Sequence, residues 1–422
     1  MAREIKDSGI EWIGEIPTDW SIGFAFQIFT PVKNRNIGLL ETNLLSLSYG
    51  KIKHKSINTT EGLLPESFDS YNIIECDDIV LRLTDLQNDH KSLRVGRSIE
   101  RGIITSAYLT LRPSNNSFSQ YMYYFLYSFD ICKGLYGMGS GVRQGLNWDD
   151  IKHLQILLPT LAEQQRIAAF LDRKCAEIDS IIADTQKTIE EYKALKQSII
   201  TEAVTKGVRG ERKMKDSGIE WIGEVPEEWE VTRIKNLFAY RNERNSLPLE
   251  DVNLISLYTD KGVVQHSDLE ETTGNKASNA DGYKLVYEND IVVNIILCWM
   301  GAIGRSAYNG VTSPAYDVYA PKAGTFSHFY HYYFRTQGFS GDCYKVGRGI
   351  MAMRWRTYSD QFRALSVIYP SIQEQIEIVT YLDRKCAEID RLIAAKQQLL
   401  TELEAYKKSV IYEYVTGKKE VL

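Results

Sequence analysis

Two long stretches of the chain keep an apolar position in step over many turns. From Leu161 to Lys206 there is neither proline nor glycine. Leu171, Ile178, Thr185, Tyr192 and Ile199 recur every seven residues, and Ile182, Ile189 and Ala203 fill the second seam position. From Ile372 to Thr416 both breakers are again absent. Leu382, Ile389, Lys396, Leu403 and Val410 lie on one line, with Ile393, Leu400 and Ile411 beside it. Pro159-Thr160 ahead of the first stretch and Gly207 behind it serve as start and stop signals. At 1.5 Å per residue, about 45 residues make a rod roughly 65 to 70 Å long. Its seam has to be buried, and the obvious partner is the other copy. The pattern predicts an antiparallel pair of long helices that holds two globular segments apart. Shorter patterns fill the rest. The longest apolar run, "IVVNIILCWM" from Ile291 to Met300, is about half a membrane span and predicts a buried strand. "YMYYFLY", Tyr121 to Tyr127, predicts a helix with a core face rather than a base-stacking platform.

The chain repeats itself. "KDSGIEWIGE" runs from Lys6 to Glu15 and again from Lys215 to Glu224; "LDRKCAEID" runs from Leu171 to Asp179 and again from Leu382 to Asp390. Between these anchors the sequences differ, with echoes in order: "LLSL" at Leu44 and "LISL" at Leu254, "DDIV" at Asp77 and "NDIV" at Asn289, "VGR" at Val95 and "IGR" at Ile303, "FSQYMYYF" at Phe118 and "FSHFYHYYF" at Phe326. Two segments of one fold are expected, alike at their ends and unlike in the middle. Like ends can dock two copies of one partner, while unlike middles can read two different things. Met214, just before the second decapeptide, fits a fusion of two half-length ancestors. Trp12, Trp20, Trp221 and Trp229 are expected where each segment meets the helices, which gives the decapeptide a reason to recur.

Length and composition narrow the class. At 422 residues the chain needs at least two domains, and 44% apolar with 25% charged residues is ordinary for a globular protein. "MAREIKDSG" lacks an apolar core of the signal-peptide type, so a cytoplasmic protein without a membrane span is expected. Six scattered cysteines without a CxxC pair fit a reducing compartment. Cys175 and Cys386 hold equivalent seam positions, where small buried thiols fit. The net charge of −5 speaks against nucleic acid unless the charges are unevenly spread.

"WIGEIP..W" opening a half, "LPTLAEQQRIAAFLDRKCAEID" with "VTKG" closing it, and the variants "YPSIQEQIEIVTYLDRKCAEID" and "VTGK" resemble the DNA specificity subunit of type I restriction-modification systems. The resemblance covers the whole chain. It implies an α+β fold with an internal pseudo-two-fold repeat: target recognition domains at residues 1–158 and 208–369, and long helices at 159–207 and 370–418. Each recognition domain would read one part of a split, asymmetric sequence in double-stranded DNA, and the helices would set the spacing. It further implies two methyltransferase subunits docked on the helices and restriction (motor-nuclease) subunits joining that core. S-adenosylmethionine is expected in the methyltransferase. This chain is expected to hold no cofactor or metal and to be no catalyst. The residues expected at the spacer and docking helices are Leu171, Ile178, Ile182, Ile189, Tyr192, Leu382, Ile389, Ile393, Leu400 and Leu403.

DNA binding needs a basic face. "CYKVGRGIMAMRWRTY", Cys343 to Tyr358, carries Lys345, Arg348, Arg354 and Arg356 without an acid, and "CKGLYGMGSGVRQGLNW" offers Lys133, Arg143 and Gln144. Leu81 to Arg112 is also basic, with Arg82, Lys91, Arg94, Arg97, Arg101 and Arg112, and so is Arg233 to Arg244; the helices hold much of the acidity. Arginine grips guanine and glutamine grips adenine in bidentate fashion. The contact candidates are therefore Arg143, Gln144, Lys345, Arg348, Arg354, Arg356, Arg94 and Arg97. "GMGSG" reads as a loop, and His328 with His331 as part of an aromatic helix rather than a metal site. The rival functions are a stand-alone methyltransferase or nuclease and a scaffold that reads no DNA. The first lacks a [DN]-P-P-[FYW] tetrapeptide and a convincing metal-binding acidic cluster.

Overall fold

A computed structural model describes residues 3–57, 67–89, 92–138, 145–266, 279–349 and 355–421. Contacts divide the chain into two compact units, residues 1–186 with 398–422 and residues 187–397. The two long helices span Leu161–Lys206 and Ile372–Val415. Each unit therefore holds the start of one helix and the end of the other. Thr160 and Ser371 cap the starts by accepting the N–H of Glu163 and Glu374, both at 3.3 Å. Gly207 (φ +79°) and Gly417 (φ +72°) end the helices in the left-handed conformation that residues with a Cβ avoid.

The first unit opens on a hairpin, Ile5–Asp7 against Glu15–Pro17. Strand Ser21–Phe24 pairs with Gln155–Leu158 and so returns the segment to the start of its helix. Between them lie two four-stranded sheets. One is antiparallel in the order Phe29–Pro31, Leu109–Pro113, Ile79–Leu81, Val95–Arg97. The other runs Lys51–Lys55, Leu44–Ser48, Gly102–Ile104, Asn72–Ile74, with one parallel contact between Leu44 and Ile103. Helix Ser119–Ile131 buries Tyr121, Tyr124 and Phe125 in the main core, as its periodicity predicts.

The second unit repeats this plan. Its hairpin is Met214–Asp216 with Glu224–Pro226, and Glu230–Arg233 pairs with Ser366–Tyr369. The first sheet recurs as Phe238–Arg241, Tyr316–Pro321, Ile291–Asn294, Ile303–Arg305. The second is two antiparallel pairs, Ile255–Tyr258 with Gly262–Gln265 and Lys284–Val286 with Gly310–Thr312, linked by a parallel bridge from Leu254 to Val311. The echoes thus fall on matching strands. The run "IVVNIILCWM" is a strand only as far as Asn294. There the Asn294 carboxamide accepts the N–H of Ile296 and Leu297 and turns the chain into a short helical turn, Cys298–Met300.

Within each unit the long helices pair antiparallel. In the first, Phe170 meets Tyr414 at 4.4 Å between ring centroids and Lys407 Nζ lies 2.7 Å from Asp179. In the second, Lys196 Nζ lies 2.7 Å from Asp390, the same ion pair with the copies exchanged. The seam predicted from sequence is buried at Leu171, Ile178, Ile189, Leu382 and Ile389, and half-buried at Ile182, Tyr192, Ile393, Leu400 and Leu403. Its ends do more than join helix to helix. Leu171 and Cys175 belong to the core of the first globular segment, and Leu382 and Cys386 to that of the second.

Candidate nucleic-acid interface

The repeated residues build a seat, not a reading surface. In the first unit Glu163, on the opening turn of its helix, accepts Arg3 Nη1 at 2.7 Å and the Trp20 indole N–H at 3.1 Å. Arg3 also holds Asp19 at 2.7 Å and lies over the Trp20 ring. In the second unit Glu374 accepts the Trp229 N–H at 2.9 Å and faces Arg212 at 2.5 Å; Arg212 holds Glu228 at 2.8 Å and covers the Trp229 ring. Hydrogen bonding to Glu163 raises the Arg3 pKa, and that to Arg3 lowers the Asp19 pKa, so both stay charged. Next along each helix, Gln164 and Gln375 accept the N–H of Phe118 and Phe326 and donate to the carbonyls of Pro159 and Pro370. The quoted stretches "LPTLAEQQ" and "YPSIQEQI" contain this Glu-Gln pair, to which the sequence alone assigned no role.

The other end of each helix closes the seat. Lys206 donates to the carbonyls of Ile222 and Glu224, and Lys418 to that of Glu15 at 2.5 Å. The lysine therefore finds the matching carbonyl even though "TKG" in one copy is "TGK" in the other. Trp20 and Trp229 are buried, while Trp12 and Trp221 are half-buried, Trp12 against Phe125 and Phe129 and Trp221 against Tyr333. An indole removes roughly 150–250 Å² from water, about 4–6 kcal/mol at ~25 cal/mol/Å² before entropy is counted. Apolar burial therefore outweighs the surrounding ion pairs in holding each segment down.

The candidate DNA contacts separate by burial. Arg143, Gln144 and Arg354 lie outside the described residues. Arg94 is a correction: it is fully buried, and its guanidinium donates to the carbonyls of Arg82, Thr84, Asp85 and Asp89 and to Tyr136 Oη. A cation so enclosed braces a loop and cannot reach DNA. Arg97 is half-buried rather than enclosed. It pairs with Asp77, and its counterpart Arg305 donates to Asn289 in the matching place, so the clasp belongs to the shared fold. The basic stretch around Arg94 is tied up elsewhere too. Arg112 grips the buried Asp78 through Nε and Nη2, both at 2.7 Å, while Arg101 pairs with Glu41 and Glu75. Arg241 does the same for the buried Asp290.

The remaining three gather at one place in the second unit. Arg348 and Arg356 face each other across an antiparallel bridge, both exposed, and among the described residues neither makes an ion pair. Trp355 stacks on the exposed Tyr344 at 5.2 Å, with the exposed Tyr358 nearby in sequence. Lys345, near the end of helix Gln337–Val346, reaches Glu220 at 2.7 Å, a surface pair. Free arginines beside aromatic faces suit a duplex surface. In the first unit sequence reasoning passed over the exposed strand "KIKHK", Lys51–Lys55. Its signal was strict alternation of lysine. His328 and His331 sit on helix Ser327–Phe334. Burial drives the His331 pKa down to about 3, and its neutral ring accepts the Arg305 N–H at 3.2 Å. Among the described residues no group of His, Cys, Asp and Glu is placed to hold a metal ion, and no helix is long and apolar enough to cross a membrane.

Residues 101–191 and 226–405, more than half of the chain, match the family model for the type I restriction modification DNA specificity domain. The chain belongs to this family. Among curated members it is 28% identical over 235 residues to the MjaX specificity subunit of Methanocaldococcus jannaschii, covering 53% of this chain and 54% of that one. It is 29% identical over 139 residues to the type I restriction enzyme MjaVIII specificity subunit of the same organism, covering 33% and 31%. The chain thus spans about half the length, or less, of the curated specificity subunits it matches. Among solved structures, a chain from work on complex assembly and conformational transition of the type I R-M system aligns with a TM-score of 0.70 at 13% identity, over 96% of this chain and 99% of that one. The HsdS subunit from Thermoanaerobacter tengcongensis aligns with a TM-score of 0.51 at 12% identity, over 98% and 100%. These two share the fold.

Proposed function

We propose that this specificity-family chain reads DNA for a type I restriction-modification complex and is not itself a catalyst. Residues 1–158 and 208–369 each recognise one part of a split, asymmetric duplex target, and the helices at 159–207 and 370–418 fix the spacing. Two methyltransferase subunits dock on the helices and bring S-adenosylmethionine; restriction subunits join them, all in the cytoplasm. One observation carries this reading: what repeats is the frame, and what differs is the exposed face of each segment. The Trp20 and Trp229 indoles donate to matching glutamates, whereas exposed cations without an ion pair among the described residues stand at Lys53 and Lys55 on one segment and at Arg348 and Arg356 on the other.

The helices also repeat their exposed apolar side chains. Leu161 and Ile372, Ile181 and Leu392, and Leu195 and Tyr406 occupy equivalent positions and are all between 43% and 50% exposed. Within each helix the last two lie two heptads apart, on a stripe beside the seam. Matching apolar stripes support two copies of one docked partner. Mapping methylated adenines in cells that express this chain with its methyltransferase tests the proposal. A split asymmetric motif is expected, and exchanging residues 15–158 for another reader should change only one part of it. Methyl transfer by the purified chain alone would overturn the non-catalytic role.

A further inference from the structure

Among the described residues the strand Lys51–Lys55 is at the edge of its sheet and pairs only with Leu44–Ser48, in the register Leu44 to Lys55, Ser46 to Lys53 and Ser48 to Lys51. Alternation divides its side chains. Ile52 turns to the cluster of Leu45, Leu47 and Ile74, so Lys51, Lys53 and Lys55 share the opposite face. All three are exposed. Among the described residues Lys51 lies 3.9 Å from Asp179 with its side chain still 70% exposed, and Lys53 and Lys55 make no ion pair. Alternate residues of a strand stand roughly 6.6–6.8 Å apart, so the three cations form a straight row about 13 Å long.

We propose that this row is a phosphate-contact site for duplex DNA on the first recognition segment; the inference rests on the DNA-reading function above. Among the described residues the second segment has no equivalent row. Its matching strand, Gly262–Gln265, pairs with Ile255–Tyr258 in the same hairpin arrangement but reads Gly-Val-Val-Gln. Features that serve the frame and its docked partners occur twice in this chain, and the lysine row occurs once, as a reading surface should. Opposite Lys51, the half-buried Ser48 adds a hydroxyl to the same face, which suits phosphate oxygens.

Each phosphate contact contributes about 0.9 to the slope of log K against log salt, so three contribute about 2.7. Between 50 and 200 mM salt the unaltered protein should therefore lose about 40-fold more affinity than one without the row. The test uses the full chain assembled with its methyltransferase and a labelled random-sequence 30-base-pair duplex, followed by fluorescence anisotropy. K51Q/K53Q/K55Q should lower the slope by about 2.7, while K51R/K53R/K55R should keep it. A glutamine variant with the unaltered slope overturns the site and leaves lysines that merely guard a sheet edge. Normal slope with failed assembly also overturns it, in favour of a protein-facing surface. Should the unaltered complex bind no DNA at all, the DNA-reading function falls along with it.

Discussion

Replacing Glu374 by glutamine removes one charge and almost no volume from the second seat. Glu374 is 1% exposed, and it faces Arg212, whose side chain is 13% exposed. Breaking a buried pair by deleting one partner costs about 3–5 kcal/mol, because the other charge is left stranded. Here Arg212 keeps Glu228 at 2.8 Å, a 53% exposed carboxylate, so the lower end, about 3 kcal/mol, is expected. The first seat is wetter. Arg3 is 24% exposed, so E163Q should cost about 1–2 kcal/mol. For a unit of 150–250 residues each kcal/mol lowers the midpoint by about 2–4 °C. Calorimetry of the full chain should then show a fall of roughly 6–12 °C in one transition for E374Q and a clearly smaller fall for E163Q. The double variant R212Q/E374Q leaves no stranded cation and should recover part of the loss despite forfeiting the contact between Arg212 and the Trp229 ring. An E374Q midpoint within about 1 °C of the unaltered protein would refute the reasoning. So would a double variant no more stable than E374Q.

Three further outcomes follow from the same geometry. His331 is neutral in the fold down to about pH 3, whereas an unfolded histidine gains its proton near pH 6.5, so the second unit should lose stability as pH falls below that value. The loss should reach about 2 kcal/mol at pH 5, and denaturation of H331Q should show that slope removed. Arg348→Ala and Arg356→Ala should each weaken DNA binding by about 1–3 kcal/mol where the side chain contacts a base, with relaxed discrimination at one position of the methylation motif. A uniform loss across sequences would assign them to phosphates instead. The pairs of Lys196 with Asp390 and of Lys407 with Asp179 are partly exposed, so K196D should destabilise by no more than about 1 kcal/mol, and K196D/D390K should restore it. Chemical denaturation of both variants checks this.

The long helices were legible to within a residue because everything that defines them is local. A heptad seam free of Gly and Pro, a hydroxyl at the start and a glycine after the end act within a few turns. The repeat was legible because it is literal, and the strand echoes because each half folds around the same alternation. What charge does was not legible. Arg94 and Arg348 read alike in the sequence, yet one is enclosed by four carbonyls from neighbouring loops and the other stands free. Whether a cation is available depends on how the loop folds back around it and which acceptors it meets there, and a count of charges does not carry that. The seats belong to the same class. Lys418 donates to the carbonyl of Glu15 across 403 residues, as Lys206 does to that of Glu224 across 18, so the end of the second helix supplies the first hairpin with what the first helix supplies to the second hairpin. The sequence by itself specified two equal frames; only tertiary structure decided which chain segments complete each of them, because such contacts form between surfaces rather than between neighbours in sequence.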